Sequence, residues 1–142
     1  GPLEQSRIDS FLDRALVFAR DMQRYALLGD ALTPPAHAEM DDSFHAFLDG
    51  IERSLEASPF LAGPALTLAD IVTTCDLCQM ANELRMVEEL GAIGCEPIVR
   101  QLSDFRTTSA YLARMASDDR FAQDLEPYFQ RLAPIISDAG VG

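Results

Sequence analysis

The chain predicts an all-α bundle of about five or six helices packed around one buried central helix. Three observations predict it. Apolar residues recur at three- and four-residue steps along most of the 142 residues, the period of a helix with one buried face. One stretch, from Leu68 onward, is apolar nearly all round, the pattern of a core helix. No strand signal, internal repeat or low-complexity segment interrupts the series.

The first helix is predicted over about residues 4–29. Ile8, Phe11, Leu12, Ala15, Ala19, Met22 and Ala26 make its stripe, and Leu16, Phe18 and Tyr25 widen it. Asp9, Asp13, Arg14, Arg20, Asp21 and Arg24 make the polar side. Gly29 suits a C-cap. Residues 30–35 read as a loop, with Pro34 and Pro35 as breakers. The second helix spans about residues 36–57, with Met40, Phe44, Phe47, Leu48, Ile51 and Leu55 as its stripe. Ser58-Pro59 ends it. Phe60 and Leu61, apolar in a short connector, are expected to dock on the core.

Gly63-Pro64 is turn chemistry. Thr67 then stands at an N-cap position with Asp70 three residues on, a capping box in which each side chain bonds the other's backbone N–H. Leu66 and Ile71 have the spacing of a hydrophobic staple. Both Thr67 and Asp70 are structural in this reading, each worth about 0.5–2 kcal/mol as a cap. The central helix follows over about residues 68–90. Leu68, Ala69, Ile71, Val72, Cys75, Leu77, Cys78, Met80 and Ala81 make it apolar. Glu83, Arg85, Glu88 and Glu89 suggest that its second half emerges into water.

After a loop over residues 91–97, Ile98, Leu102, Phe105, Tyr111, Leu112 and Met115 read as one helix, or as two with a break near Thr107-Thr108. Ser117 suits an N-cap, with Asp118 and Asp119 in the first turn. Phe121, Leu125, Tyr128, Leu132 and Ile135 make the last stripe. Pro127 falls inside it and is expected to kink or interrupt that helix.

The bulk properties fit one ordinary globular domain. Residues 1–5 read as linker or tag remnant, 6–137 as the helical domain and 138–142 as a flexible tail. Twenty-three acidic residues against 11 basic ones leave a net charge of −12. That disfavours nucleic acid or an anionic membrane as a direct partner. No apolar run approaches the length of a membrane span, and no signal peptide is evident. Three cysteines, two of them in the predicted core helix, argue against a disulfide framework and for a reducing, cytoplasmic setting.

The wording Phe60-Leu61-Ala62-Gly63-x-x-Leu66-Thr67-Leu68-Ala69-Asp70-Ile71 resembles the start of the central helix in the C-terminal domain of glutathione S-transferases. Residues 8–13, Ile-Asp-Ser-Phe-Leu-Asp, are similar to the first helix of that domain. The resemblance implies a helical domain that shapes a hydrophobic electrophile pocket and a homodimer interface, with glutathione as co-substrate and no metal. Glutathione would be held mainly by a thioredoxin-like N-terminal domain; no βαβ pattern precedes Ile8, so no catalytic residue is expected in this chain. On the first helix the resemblance implies that Val17, Arg20, Arg24 and Tyr25 face the pocket. It also implies a carboxylate reaching glutathione across the dimer. Val17 lies nearest that position, with Asp13 and Asp21 one turn away on either side; Asp21 is the candidate. Non-catalytic docking domains share this architecture, among them the gamma subunit of elongation factor 1B, and form the alternative.

Other motifs read as structural. Cys75-x-x-Cys78 lies two turns into an apolar helix, where the helix dipole does not lower a thiol pKa. His37, His45 and Cys95 show no ligand spacing for a zinc site. Asp41, Asp42, Ser43 and His45 suggest a triad by composition only; on a helix, Ser43 and His45 diverge.

Overall fold

The computed structural model describes residues 1–140. Six α-helices and no strand are found among them: α1 (Pro2–Ala26), α2 (Pro34–Ala57), α3 (Leu68–Gln79), α4 (Val87–Ala92), α5 (Arg106–Ala116) and α6 (Asp119–Asp138). Tight 3-10 turns occupy Gly29–Ala31, Met80–Met86 and Ile98–Asp104. Helix α3 packs along α1, α1 along α2, and α5 along α6. The core between them is closed by Phe18, Phe44, Leu48, Ile51, Leu77, Met80, Leu90, Leu102 and Leu112, all fully buried. Phe18 and Phe47 stack with ring centroids 4.4 Å apart, joining α1 to α2.

Several boundaries depart from the sequence reading, each for a local reason. Helix α1 begins at Pro2 rather than near Glu4; Pro at the first helical position costs nothing, because its missing N–H would have had no partner. Pro34 and Pro35 start α2 instead of breaking a loop, and the Thr33 hydroxyl accepts from Ala36 N–H at 3.3 Å. The cap of α6 is Asp118 rather than Ser117, its carboxylate accepting from Arg120 N–H. The break between the 98–104 turn and α5 falls at Phe105, not near Thr107-Thr108. Asp138 closes α6; of the predicted tail, residues 141 and 142 lie outside the described residues.

Pro127 does not interrupt α6, nor does Pro134. The carbonyls they leave without an intrahelical donor belong to Gln123 and Gln130. All four residues are exposed, so water can take the place of the missing N–H.

The central helix is shorter and less apolar than predicted. Leu68 and Ile71 are 52% and 41% exposed, whereas Thr73, Thr74 and Asp76 are buried. The α register ends at Gln79 and tightens into a seven-residue 3-10 segment, Met80–Met86. Glu83 sits in that segment, buried rather than in water.

Asp70 is fully buried and is more than a cap. Its Oδ2 accepts from Thr67 N–H at 2.9 Å. Its Oδ1 accepts from Leu61 N–H at 3.1 Å and from the Tyr111 hydroxyl at 2.8 Å. The other half of the capping box is weak. Thr67 Oγ1 faces the Asp70 N–H in the capping-box arrangement, but that N–H is bonded to the Thr67 carbonyl at 3.0 Å. The hydroxyl, buried, is left without an aligned partner. The staple residues Leu66 and Ile71 line one small groove with Phe121 and Leu125 of α6.

The two box residues should therefore differ in unfolding experiments. Asp70→Ala orphans two buried donors and one half-buried one and should cost about 4 kcal/mol in denaturant unfolding. Thr67→Ala should cost less than about 1 kcal/mol. Equal losses would mean that the carboxylate acts only as a cap.

Candidate functional site

A cleft of about 670 Å³ lies between α1 and the central helix with its 3-10 extension. Its α1 wall carries Leu16, Ala19, Arg20, Gln23 and Leu27, one residue per turn or nearly so. The opposite wall carries Gln79, Met80, Asn82 and Met86. Leu16 and Leu27 are 71% and 77% exposed, so the cleft has an apolar lip facing solvent. A hollow of this size with mainly apolar walls and a few amide groups is the common form of a small-molecule site. Met22, Met80 and Met86 add side chains that repack easily.

Tyr25 and Glu83 also line this cleft. The Tyr25 hydroxyl donates to Glu83 Oε2 at 2.6 Å, and Val99 N–H donates to Oε1 at 2.8 Å. Burial raises the Glu83 carboxyl pKa, against the lowering effect of these two donors. Burial also raises the Tyr25 hydroxyl, followed by its bond to Glu83, so it stays protonated. The pair joins α1, the 80–86 turn and the 98–104 turn through polar atoms that are already engaged. It is a strut of the cleft, not a free acid or base.

The residues singled out on the first helix do not converge. Arg20 and Tyr25 border the α1–α3 cleft. Asp21 and Arg24 border a second hollow, with Leu28, Glu39 and Met40, which Tyr25 reaches from the other side. Val17 borders a third, between α1 and α2. Tyr25 is buried, and Asp21 accepts from the Ser43 hydroxyl at 2.8 Å. Glu83, Gln79, Asn82 and Met86, which build the far wall, are the members that sequence reasoning missed. No local signal marks Glu83, which stands between Asn82 and Leu84 in a mixed stretch.

The remaining motifs are tied up in packing. Among the described residues no three His, Cys, Asp or Glu side chains are placed to hold a metal ion. Burial pushes the Cys78 thiol up to about 12 and raises that of Cys75, so neither favours thiolate. Ser43, His45 and Asp41 do not form a triad: His45 pairs with Gln101 Oε1 at 2.6 Å, and Gln101 Nε2 donates to Asp41 at 2.6 Å. Set beside known proteins, the chain matches no family profile, no curated protein and no solved structure.

Asp76 is a further buried acid, 8% exposed, with Oδ2 unpartnered. Desolvation raises its pKa from 3.8 to about 6. A folded-state pKa above the unfolded value stabilises the protonated form, so this contribution is present below pH 4 and lost as pH rises through 6. The shift corresponds to about 3 kcal/mol by pH 7. Asp76→Asn should match the wild type at low pH and exceed it at pH 7 by up to about 3 kcal/mol. A constant difference across that range, in urea unfolding at each pH, would assign the effect to packing instead.

Proposed function

We propose that this chain is the helical domain of a glutathione S-transferase-like protein, and that the α1–α3 cleft is the wall of its electrophile pocket. The cleft itself carries the proposal. It lies between α1 and the end of α3 with its 3-10 extension, which continue the two stretches, residues 8–13 and 60–71, whose wording resembles that family. Its apolar surface, rimmed by Arg20 and the amides of Gln23, Gln79 and Asn82, suits a flat or short-chain apolar electrophile. In this reading a thioredoxin-like domain binds glutathione and activates its thiol. The thiolate attacks an electrophilic carbon, or takes part in a related thiol-dependent reduction, while this domain positions the apolar partner. A homodimer and a cytoplasmic setting belong to the same proposal. Three free cysteines are compatible with a reducing compartment. No helix among the described residues is long and apolar enough to cross a membrane.

The pocket predicts a selective loss. Chlorodinitrobenzene added to this chain should shift the methyl resonances of Met22, Met80 and Met86, which line the cleft. Ala19→Trp, which fills the α1 wall, should weaken that binding about tenfold, the effect of about 1.4 kcal/mol. In a protein that also carries a thioredoxin-like domain, glutathione affinity should be unchanged by Ala19→Trp. Equal losses for both ligands would remove the pocket assignment. No response of the methionines to the electrophile would favour the docking-domain alternative.

A further inference from the structure

On the α2 side of α1, the geometry points to a binding site for an oxyanion carried on a small apolar body, held by Arg14 and Arg53. The groove there has a volume of about 450 Å³ and is bordered by Arg14, Val17, Ala46, Phe47 and Arg53. Val17 is 47% exposed, and Phe47, buried, closes the floor.

Arg14 is seated, not merely exposed. Its guanidinium lies against the α2 backbone at Gly50: a Cβ built on that glycine would stand 2.6 Å from Arg14 Nη1. Beyond the helix's own backbone, only Arg14 atoms lie within 4 Å of that position. Gly50 stands in the interior of a 24-residue helix, where glycine is less favourable than any residue but proline. Its missing side chain makes room for the guanidinium and for nothing else. The Arg14 Cζ also lies 5.6 Å from the Phe11 ring centroid, a second restraint on the same group.

Arg53 approaches from α2. Its Nε donates to the Asp49 carbonyl at 3.4 Å, which leaves both Nη groups free. Neither guanidinium forms an ion pair with a carboxylate among the described residues, although acids outnumber bases 23 to 11 in the chain. Asp13 borders the groove without pairing with either arginine. Ser43, on the α2 wall, gives its hydroxyl hydrogen to Asp21. Two guanidinium groups, one seated against Gly50 and Phe11, carry the forked donors that match a carboxylate or a phosphate. Val17, Ala46 and Phe47 supply the contact for an aryl or short alkyl group beside it.

The test is calorimetric titration of this chain with phenyl phosphate, phenylacetate and neutral benzyl alcohol at about 0.15 M salt, where distant charges are screened. At least one oxyanion should bind with Kd below about 1 mM, and benzyl alcohol should not. The tighter of the two oxyanions distinguishes a phosphate from a carboxylate ligand. Arg14→Ala and Arg53→Ala should each weaken binding about tenfold. Gly50→Ala separates the seat from mere packing. It should raise Tm by roughly 4 °C through helix propensity, while displacing the guanidinium and weakening the oxyanion about tenfold. Equal binding of benzyl alcohol, no binding of either oxyanion, or unchanged affinity in Gly50→Ala would overturn the assignment.

Discussion

The fold depends on one buried carboxylate. Asp70 gathers three donors that come from different parts of the chain: a connector amide at Leu61, the cap amide at Thr67 and the Tyr111 hydroxyl of α5. A charged group with no exposed surface is tolerable only when its lone pairs are filled. Here that demand dictates the geometry around it. The connector must fold back so that Leu61 N–H can reach, which buries Leu61 and Ala62. The turn is completed by Phe60 N–H on the Gly63 carbonyl at 3.2 Å, with Gly63 at φ +154°. Helix α5 must then pass close enough for Tyr111 to donate, and burial together with the Asp70 charge keeps that hydroxyl protonated.

The same device recurs further along the chain. Glu83 accepts from the Tyr25 hydroxyl of α1 and from Val99 N–H of the 98–104 turn. Each junction pairs a buried carboxylate with a tyrosine from a distant helix and a backbone amide from a connector. Asp70 holds the start of the central helix to α5, and Glu83 holds its extension to α1. Between them the helix changes character. An α register serves at Asp70, where the N-terminal dipole favours the carboxylate. Inside a regular helix no such end effect exists, and Glu83 stands instead in the tighter 3-10 register, a form that is rarely so long.

Much of the fold was legible in the sequence because it rests on local chemistry. The stripes of α1 and α2, the turn at Gly63-Pro64 and the cap at Thr67 all depend on residues within a few positions of one another. Phe11, Ala15, Phe18 and Met22 lie on the buried side of α1, as their spacing implies. What failed depends on long-range partners or on solvent. Nothing near Glu83 announces a tyrosine 58 residues away. The tolerance of Pro127 and Pro134 follows from which side of α6 faces water, a tertiary fact. The site residues show the same limit. Helical spacing puts Val17, Asp21 and Tyr25 one turn apart, yet α1 borders three hollows, and residues one turn apart fall into different ones.

That arrangement makes α1 the element on which any ligand chemistry turns. Its two flanks meet neighbours of different kinds. Towards the central helix it meets methionines and amides, a surface that adapts to shape and carries little charge. Towards α2 its Phe18 stacks on Phe47, and its Arg14 shares a groove with Arg53. A guanidinium seated against Phe11 and Gly50 marks where a charge can be met, whereas methionine walls ask only that the guest be apolar. The buried Tyr25–Glu83 strut ties α1 to the central helix beside the first surface, and Gly50 lets Arg14 lie close against α2 at the second.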